Sequence, residues 1–136
     1  MKSGQWNLVE LPRIKDPRGN LSFAESSNHV PFDIQRVFYL YDVPAGESRG
    51  GHALRGCEQF LIAMSGSFDV ILDDGNQRTK VTLNRPFQGL YLSPLIWREL
   101  ENFSSGGVCV VLASEKYKEN AYYRDYQEFL NAVRNT

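Results

Sequence analysis

The pattern that most restricts this chain is a series of short strand-like segments, one every ~8–12 residues, running from Trp6 to Ala113. Ile34, Arg36, Phe38 and Leu40 alternate with Gln35, Val37, Tyr39 and Tyr41. A period of two, filled with aromatic and β-branched residues, predicts a strand over 33–41. Residues 58–64 and 107–113 are nearly continuous apolar runs, the mark of strands covered on both faces. Residues 67–72 and 77–83 flank Asp73-Asp74-Gly75-Asn76, a hairpin signal. Residues 6–12, 21–25 and 89–92 supply further strands, another begins at His52 and breaks at Gly56, and the stretch 94–102 carries Trp97-Arg98-Glu99-Leu100. The mixed faces of 6–12 fit an edge strand or one that pairs with a second subunit. Past Ser114 the period changes, and Tyr122, Tyr126, Phe129 and Val133 recur at helical spacing. Many short strands followed by one helix predict an all-β sandwich or jelly roll. With no internal repeat or linker, residues 1–136 are expected to form a single domain.

Composition narrows the function. Of the 136 residues, 42% are hydrophobic and 23% charged, which fits a packed core rather than a disordered chain. Fifteen Lys and Arg face sixteen Asp and Glu, for a net charge of −1, so no basic surface calls for nucleic acid or an anionic membrane. There is no apolar stretch of ~18 residues and no leader-like start, and a cytoplasmic location is expected. Cys57 and Cys109 lack metal-ligand spacing and are expected to be core thiols. His29 sits among loop residues and is expected to be solvated.

The stretch that carries chemistry is Arg49-Gly-Gly-His52-Ala-Leu54, followed by Glu58 and closed by Gly66. Its spacing resembles the first motif of the cupin superfamily, in which histidines and a glutamate on adjacent strands point into a small β-barrel. Two departures stand out. Leu54 occupies the place of the second histidine, and the gap to Gly66 is one residue longer than usual. A second cupin motif places another histidine a few residues after a proline; here Leu92-Ser-Pro94-Leu-Ile-Trp97 puts Trp97 there. Only His52 and Glu58 remain as ligands, too few for a tight metal site, so the barrel is expected to work without metal.

Several stretches together resemble one metal-free cupin family, the dTDP-4-oxo-6-deoxyglucose 3,4-ketoisomerases, also called WxcM-like sugar isomerases. They include residues 32–41, Arg49-Gly-Gly-His52-Ala53, 58–75 and 89–100, then Asn102-Phe-Ser-Ser105 and Tyr123-Arg-Asp-Tyr126. The resemblance runs over nearly the whole chain in order. It implies a cupin-type jelly-roll β-barrel with a short C-terminal helix, and a homodimer with exchanged N-terminal strands. It implies a dTDP-linked 4-keto sugar, dTDP-4-keto-6-deoxyglucose, and no cofactor. The 3-keto product would then be aminated toward a 3-amino-3,6-dideoxyhexose of bacterial surface glycans, such as a lipopolysaccharide O-antigen. Members of that family carry His-Ala-His where this chain has His52-Ala53-Leu54.

The chemistry would be enolisation. A ketone at C4 acidifies the C3 hydrogen, and a neutral imidazole suits both its removal and its return. His52 is the expected base. Tyr39 is the expected second proton carrier, with Tyr41 on the same face, though a core role for Tyr39 is the other reading. Arg49 would hold a phosphate or offset enediolate charge, and Glu58 would orient His52 or bind a sugar hydroxyl; an ion pair between these two at the barrel mouth is the alternative. Arg18 would reach the sugar or diphosphate, or sit solvated in its turn. Trp97 and Arg98 border the expected site, with Trp97 either an aromatic wall or core. Two other functions compete: a sugar-nucleotide 3- or 3,5-epimerase, which lacks an obvious aspartate partner for His52, and a non-catalytic dTDP-sugar binder.

Overall fold

The computed structural model describes residues 3–136. Its strands are β1 (Trp6–Glu10), β2 (Arg13–Ile14), β3 (Leu21–Ser22), β4 (Arg36–Leu40), β5 (Arg49–Leu54), β6 (Gln59–Ser65), β7 (Phe68–Asp73), β8 (Arg78–Leu83), β9 (Gln88–Leu92), β10 (Trp97–Glu101), β11 (Val108–Ala113) and β12 (Tyr122–Tyr123), followed by helix α1 (Tyr126–Arg134). Two five-stranded sheets form, in the orders β1-β9-β6-β11-β4 and β12-β5-β10-β7-β8, and β2 pairs with β3 in a small hairpin. The ladders between named strands are antiparallel. This is the expected all-β jelly roll, with one difference: no ladder between described residues closes the two sheets into a barrel.

The main core lies between the sheets. Leu61, Ala63, Leu90 and Val111 come from one side, and Val70, Leu72 and Leu100 from the other. Each buried Leu or Val side chain among them contributes on the order of 2 kcal/mol. Strand β6 is covered on both faces, which explains its unbroken apolar run. Leu61 and Ala63 face the other sheet, whereas Phe60 and Ile62 pack under Leu11, Val30 and Phe32 of the N-terminal segment. Close contact across that outer layer needs glycine: a Cβ on Gly89 would fall 2.0 Å from the Phe60 ring. β1 is an edge strand and pairs with β9 of its own chain.

Helix α1 covers the other sheet from outside. Phe129 is fully buried against Trp97 and Ala53, with Tyr126, Leu130 and Val133 around them. Asp125 caps the helix by accepting from the Glu128 backbone N–H at 3.1 Å, which satisfies a donor the first turn leaves free. The Tyr126 hydroxyl donates to Asp73 at 2.6 Å and ties the helix to β7. One expectation is corrected here. Tyr122 lies in β12, ahead of the helix, because its backbone pairs with Leu54 of β5. The strand predicted over 21–25 is also shorter, ending at Ser22.

Candidate active site

The Gly-Gly step sets the position of the central histidine. Gly50 and Gly51 have φ of 103° and 72°, a left-handed backbone that side chains resist. A Cβ on Gly50 would stand 3.1 Å from the Arg98 carbonyl and 3.2 Å from the Glu99 Cα. The two glycines therefore let β5 press against β10 where the ladder slips register between Arg98 and Glu99. Just beyond that slip, His52 lies directly opposite Arg98. Residues paired in this way share a sheet face, so both side chains point between the sheets.

They meet in a cavity of about 400 Å³. Its polar lining includes Arg49, His52, Gln59, Arg98 and Arg124. Phe38, Leu40, Leu61, Leu100 and Val111 form apolar walls. Three guanidiniums and no carboxylate line it. Arg98 is 1% exposed, and its contacts are carbonyl oxygens rather than an acid. Nη1 donates to Gln59 Oε1, and Nε and Nη2 donate to the Ile96 carbonyl at 3.3 and 3.2 Å. Burial pulls the Arg98 pKa down to about 10, so the group is still a cation at neutral pH. A buried cation with no counter-ion is costly, and an anionic ligand would offset that cost.

His52 is half-buried, its ring centroid 5.2 Å from that of Tyr122. Burial lowers its pKa to about 3; Arg98 and Arg124 push the same way, and a hydrogen bond with the Gly50 backbone offsets part of the shift. The imidazole is therefore neutral at pH 7 but a weak base as it stands, and a bound anion that offsets the two guanidinium charges would strengthen it. Arg124 lies over the Tyr122 ring at 4.6 Å and loosely pairs with Glu119 at 3.6 Å. Leu54 is buried one step deeper along β5, beside Cys57, Ala113, Phe38 and Tyr122. Leu54 thus belongs to a small apolar cluster and is not among the residues that line the cavity.

The other residues singled out in the sequence go elsewhere. Tyr39 and Tyr41 are 60% and 61% exposed and lie side by side, rings tilted, outside the sheet, because Phe38 and Leu40 take the inward face of β4. Glu58 accepts from the Tyr91 hydroxyl at 2.6 Å, on the side of the outer layer; the next residue, Gln59, is the one that turns inward. A one-residue step along a strand reverses the face. Trp97 points away from its neighbour Arg98, packs under α1 against Phe129 and Tyr126, and donates to Glu99 at 2.9 Å. Arg18, 89% exposed, pairs with Asp16 at 2.8 Å in the β2–β3 turn. His52, Arg49 and Arg98 are the expected residues that the fold brings together.

Cys57 and Cys109 are both buried, as expected, and burial raises the Cys109 thiol to about 12. Among the described residues, no three His, Cys, Asp or Glu side chains converge as a metal site. No described helix is long and apolar enough to cross a membrane.

The family model described as FdtA: WxcM-like, C-terminal matches residues 4–134. A TDP-4-oxo-6-deoxy-alpha-D-glucose-3,4-oxoisomerase of Aneurinibacillus thermoaerophilus is 43% identical over 122 residues, 90% of this chain and 88% of that one. The structure of QdtA, a sugar 3,4-ketoisomerase of Thermoanaerobacterium thermosaccharolyticum in complex with TDP, superposes with a TM-score of 0.93 at 36% identity, covering 96% of this chain and 95% of that one. The WlaRB TDP-quinovose 3,4-ketoisomerase of Campylobacter jejuni gives 0.89 at 47% identity, covering 93% and 97%.

Proposed function

The chain belongs to the FdtA family of WxcM-like, C-terminal domains, and from that membership we propose that it is a 3,4-ketoisomerase acting on a TDP-linked 4-keto-6-deoxyhexose. The observation that carries this reading is the cavity in which neutral His52 faces the buried Arg98 cation, with Arg49 and Arg124 nearby and no acid in the lining. A diphosphate sugar supplies the negative charge that such a lining calls for. A variant of the T. thermosaccharolyticum enzyme was solved in complex with TDP-4-keto-6-deoxyglucose, and we take that compound as the substrate here.

His52 removes the C3 hydrogen as a proton. The electron pair left behind forms the C3–C4 double bond, and the charge settles on O4, where cationic neighbours stabilise it. The imidazolium then returns a proton to C4. The O3 proton is lost as O4 gains one, leaving the ketone at C3. Positioned acid–base help of this kind is worth about 10²–10⁴-fold. The same imidazole serves both carbons, as Leu54 leaves no second one beside it.

Finer features rest on the family resemblance. We place the 3-keto product ahead of an amination step toward a 3-amino-3,6-dideoxyhexose of surface glycans, in the cytoplasm. We also propose a homodimer with exchanged N-terminal strands. Ile14, Leu21, Phe23 and Met64 present an exposed apolar outer face that a second copy would cover. Exchange would keep the β1–β9 ladder and make it between copies. Light scattering checks the mass: a monomer at micromolar concentration excludes the dimer.

The activity is tested by incubating the protein with TDP-4-keto-6-deoxyglucose in D₂O and following the carbonyl by ¹³C NMR. Migration of the carbonyl to C3, with deuterium on carbon, is expected. Deuterium at C3 with the ketone still at C4 would point to an epimerase. Saturable binding without exchange would favour a binder, the reading that Leu54 supports.

A further inference from the structure

Gln59 opens β6 and lines the cavity, yet it is 2% exposed. Its backbone is clamped on both sides, opposite Leu92 of β9 and Ala113 of β11. Its side chain is clamped as well. Oε1 accepts from Arg98 Nη1, and a guanidinium has only donors, so the amide cannot turn its nitrogen toward Arg98. Arg98 is itself anchored through Nε and Nη2 on the Ile96 carbonyl. The remaining group, Gln59 Nε2, is buried and has no protein acceptor. Buried polar groups are nearly always satisfied, and an orphan donor in a ligand cavity calls for an acceptor on the ligand.

We propose that Gln59 is a catalytic residue whose Nε2 donates to the C4 oxygen of the sugar, with its direction set by Arg98. The assignment rests on the ketoisomerase reading above. Of the two reacting oxygens, O4 is an acceptor only in the substrate, and it gains negative charge in the enediolate. A donor fixed before the substrate arrives stabilises that charge without reorganising. Arg98 has then two tasks: it supplies positive charge next to His52, and it holds a neutral donor on target.

The test compares wild type with Q59M, close in size and without polar hydrogens, and Q59E, which keeps an acceptor for Arg98 but has no N–H. Three readouts are followed with TDP-4-keto-6-deoxyglucose and TDP: steady-state turnover of the sugar, solvent deuterium entry at carbon, and affinity for TDP alone. Q59M is expected to lose about 10²–10³-fold in kcat, the usual loss for one such donor, with deuterium entry falling in parallel and TDP affinity within threefold of wild type. Q59E is expected to fold, to bind TDP, and to lose turnover at least as far. Because the Q59E carboxylate also pairs with Arg98 and offsets its charge beside His52, its decisive result is the retained one: turnover at the wild-type rate without an N–H overturns the proposal. So does a Q59M enzyme whose kcat stays within threefold, or whose TDP affinity falls as far as its kcat. Should Q59M fail to fold, Q59L, also without polar hydrogens, takes its place under the same criteria, and a Q59E enzyme with kcat within threefold of wild type still overturns the proposal. If wild type neither isomerises nor exchanges, the ketoisomerase reading falls first, and this inference with it.

Discussion

An imidazole held near pKa 3 should make this enzyme indifferent to mild acid. The perturbation is pH, and kcat/KM is the quantity to follow, because it reports the free enzyme. For an ordinary histidine of pKa ~6.5, the neutral fraction falls roughly 25-fold between pH 7 and pH 5. With His52 at about 3, essentially all of it is neutral over that range, and kcat/KM should be flat. The acid limb of kcat should lie at higher pH than that of kcat/KM, as a bound diphosphate offsets the fields of Arg98 and Arg124 on His52. Stability carries the same signature. The folded pKa lies below the unfolded one, so on acidification the unfolded chain takes the proton first. The favourable contribution of His52 is complete above pH ~6.5 and is lost as pH falls toward 3, at roughly 1 kcal/mol per pH unit. Carboxylates also titrate in that window, so the measurement is the difference between wild type and H52Q in urea melts from pH 7 to 4. Wild type should lose stability relative to the variant as the pH drops. If the specificity constant instead fell about 20-fold or more by pH 5, in protein shown by circular dichroism to be folded, the assignment of His52 as a buried neutral base would be refuted.

Other expectations follow from the same geometry. R98M should weaken TDP-sugar binding by about 10–100-fold, the worth of a charge-assisted hydrogen bond, and should raise the pKa of His52, visible by NMR in a chain with only two histidines. Unchanged affinity in R98M would remove Arg98 from the binding site. Y39F should leave kcat within threefold of wild type, because its hydroxyl lies outside the sheet; a hundredfold loss would reinstate it as a proton carrier. F129A should cost about 3–4 kcal/mol in a urea melt by opening a cavity between α1 and Trp97; a loss under about 1 kcal/mol would mean the helix is not part of the cooperative core.

Strand positions, turns and the terminal helix are legible in the sequence because period and turn chemistry are local. Facing is harder. In β4, one parity of residues carries Phe38 and Leu40 and the other Tyr39 and Tyr41, and alternation alone does not say which parity meets the other sheet. The search for a proton carrier favours the tyrosines, and packing chooses the opposite. The Glu58-Gln59 step poses a stricter form of the same problem. β6 is covered on both faces, so no amphipathic alternation marks which of two adjacent polar residues enters the cavity. Trp97 and Arg98 are neighbours on one strand and cannot both face inward; the helix settles it by taking the tryptophan. Arg124 is hidden in the sequence because it sits between β12 and the Asp125 cap, in a stretch whose aromatic spacing reads as helix throughout. The cap itself, Asp125 with Glu128 three residues on, is the available signal that the helix starts later.

The two-residue ladder from Tyr122 and Tyr123 to β5 has a consequence for how the molecule opens. That short pairing holds Arg124 at the cavity and precedes the helix that backs the same strand. Segments held by few backbone bonds open at a lower free energy than the whole fold, so β12 can peel from the edge of its sheet while α1 stays docked through Phe129. Peeling would remove Arg124 from the cavity and Tyr122 from beside His52. A ligand bound there must then oppose the detachment, by as much free energy as it gains from that wall. Amide hydrogens of Tyr122 and Tyr123 should accordingly exchange more slowly as nucleotide saturates the protein, making the tail a built-in gauge of occupancy.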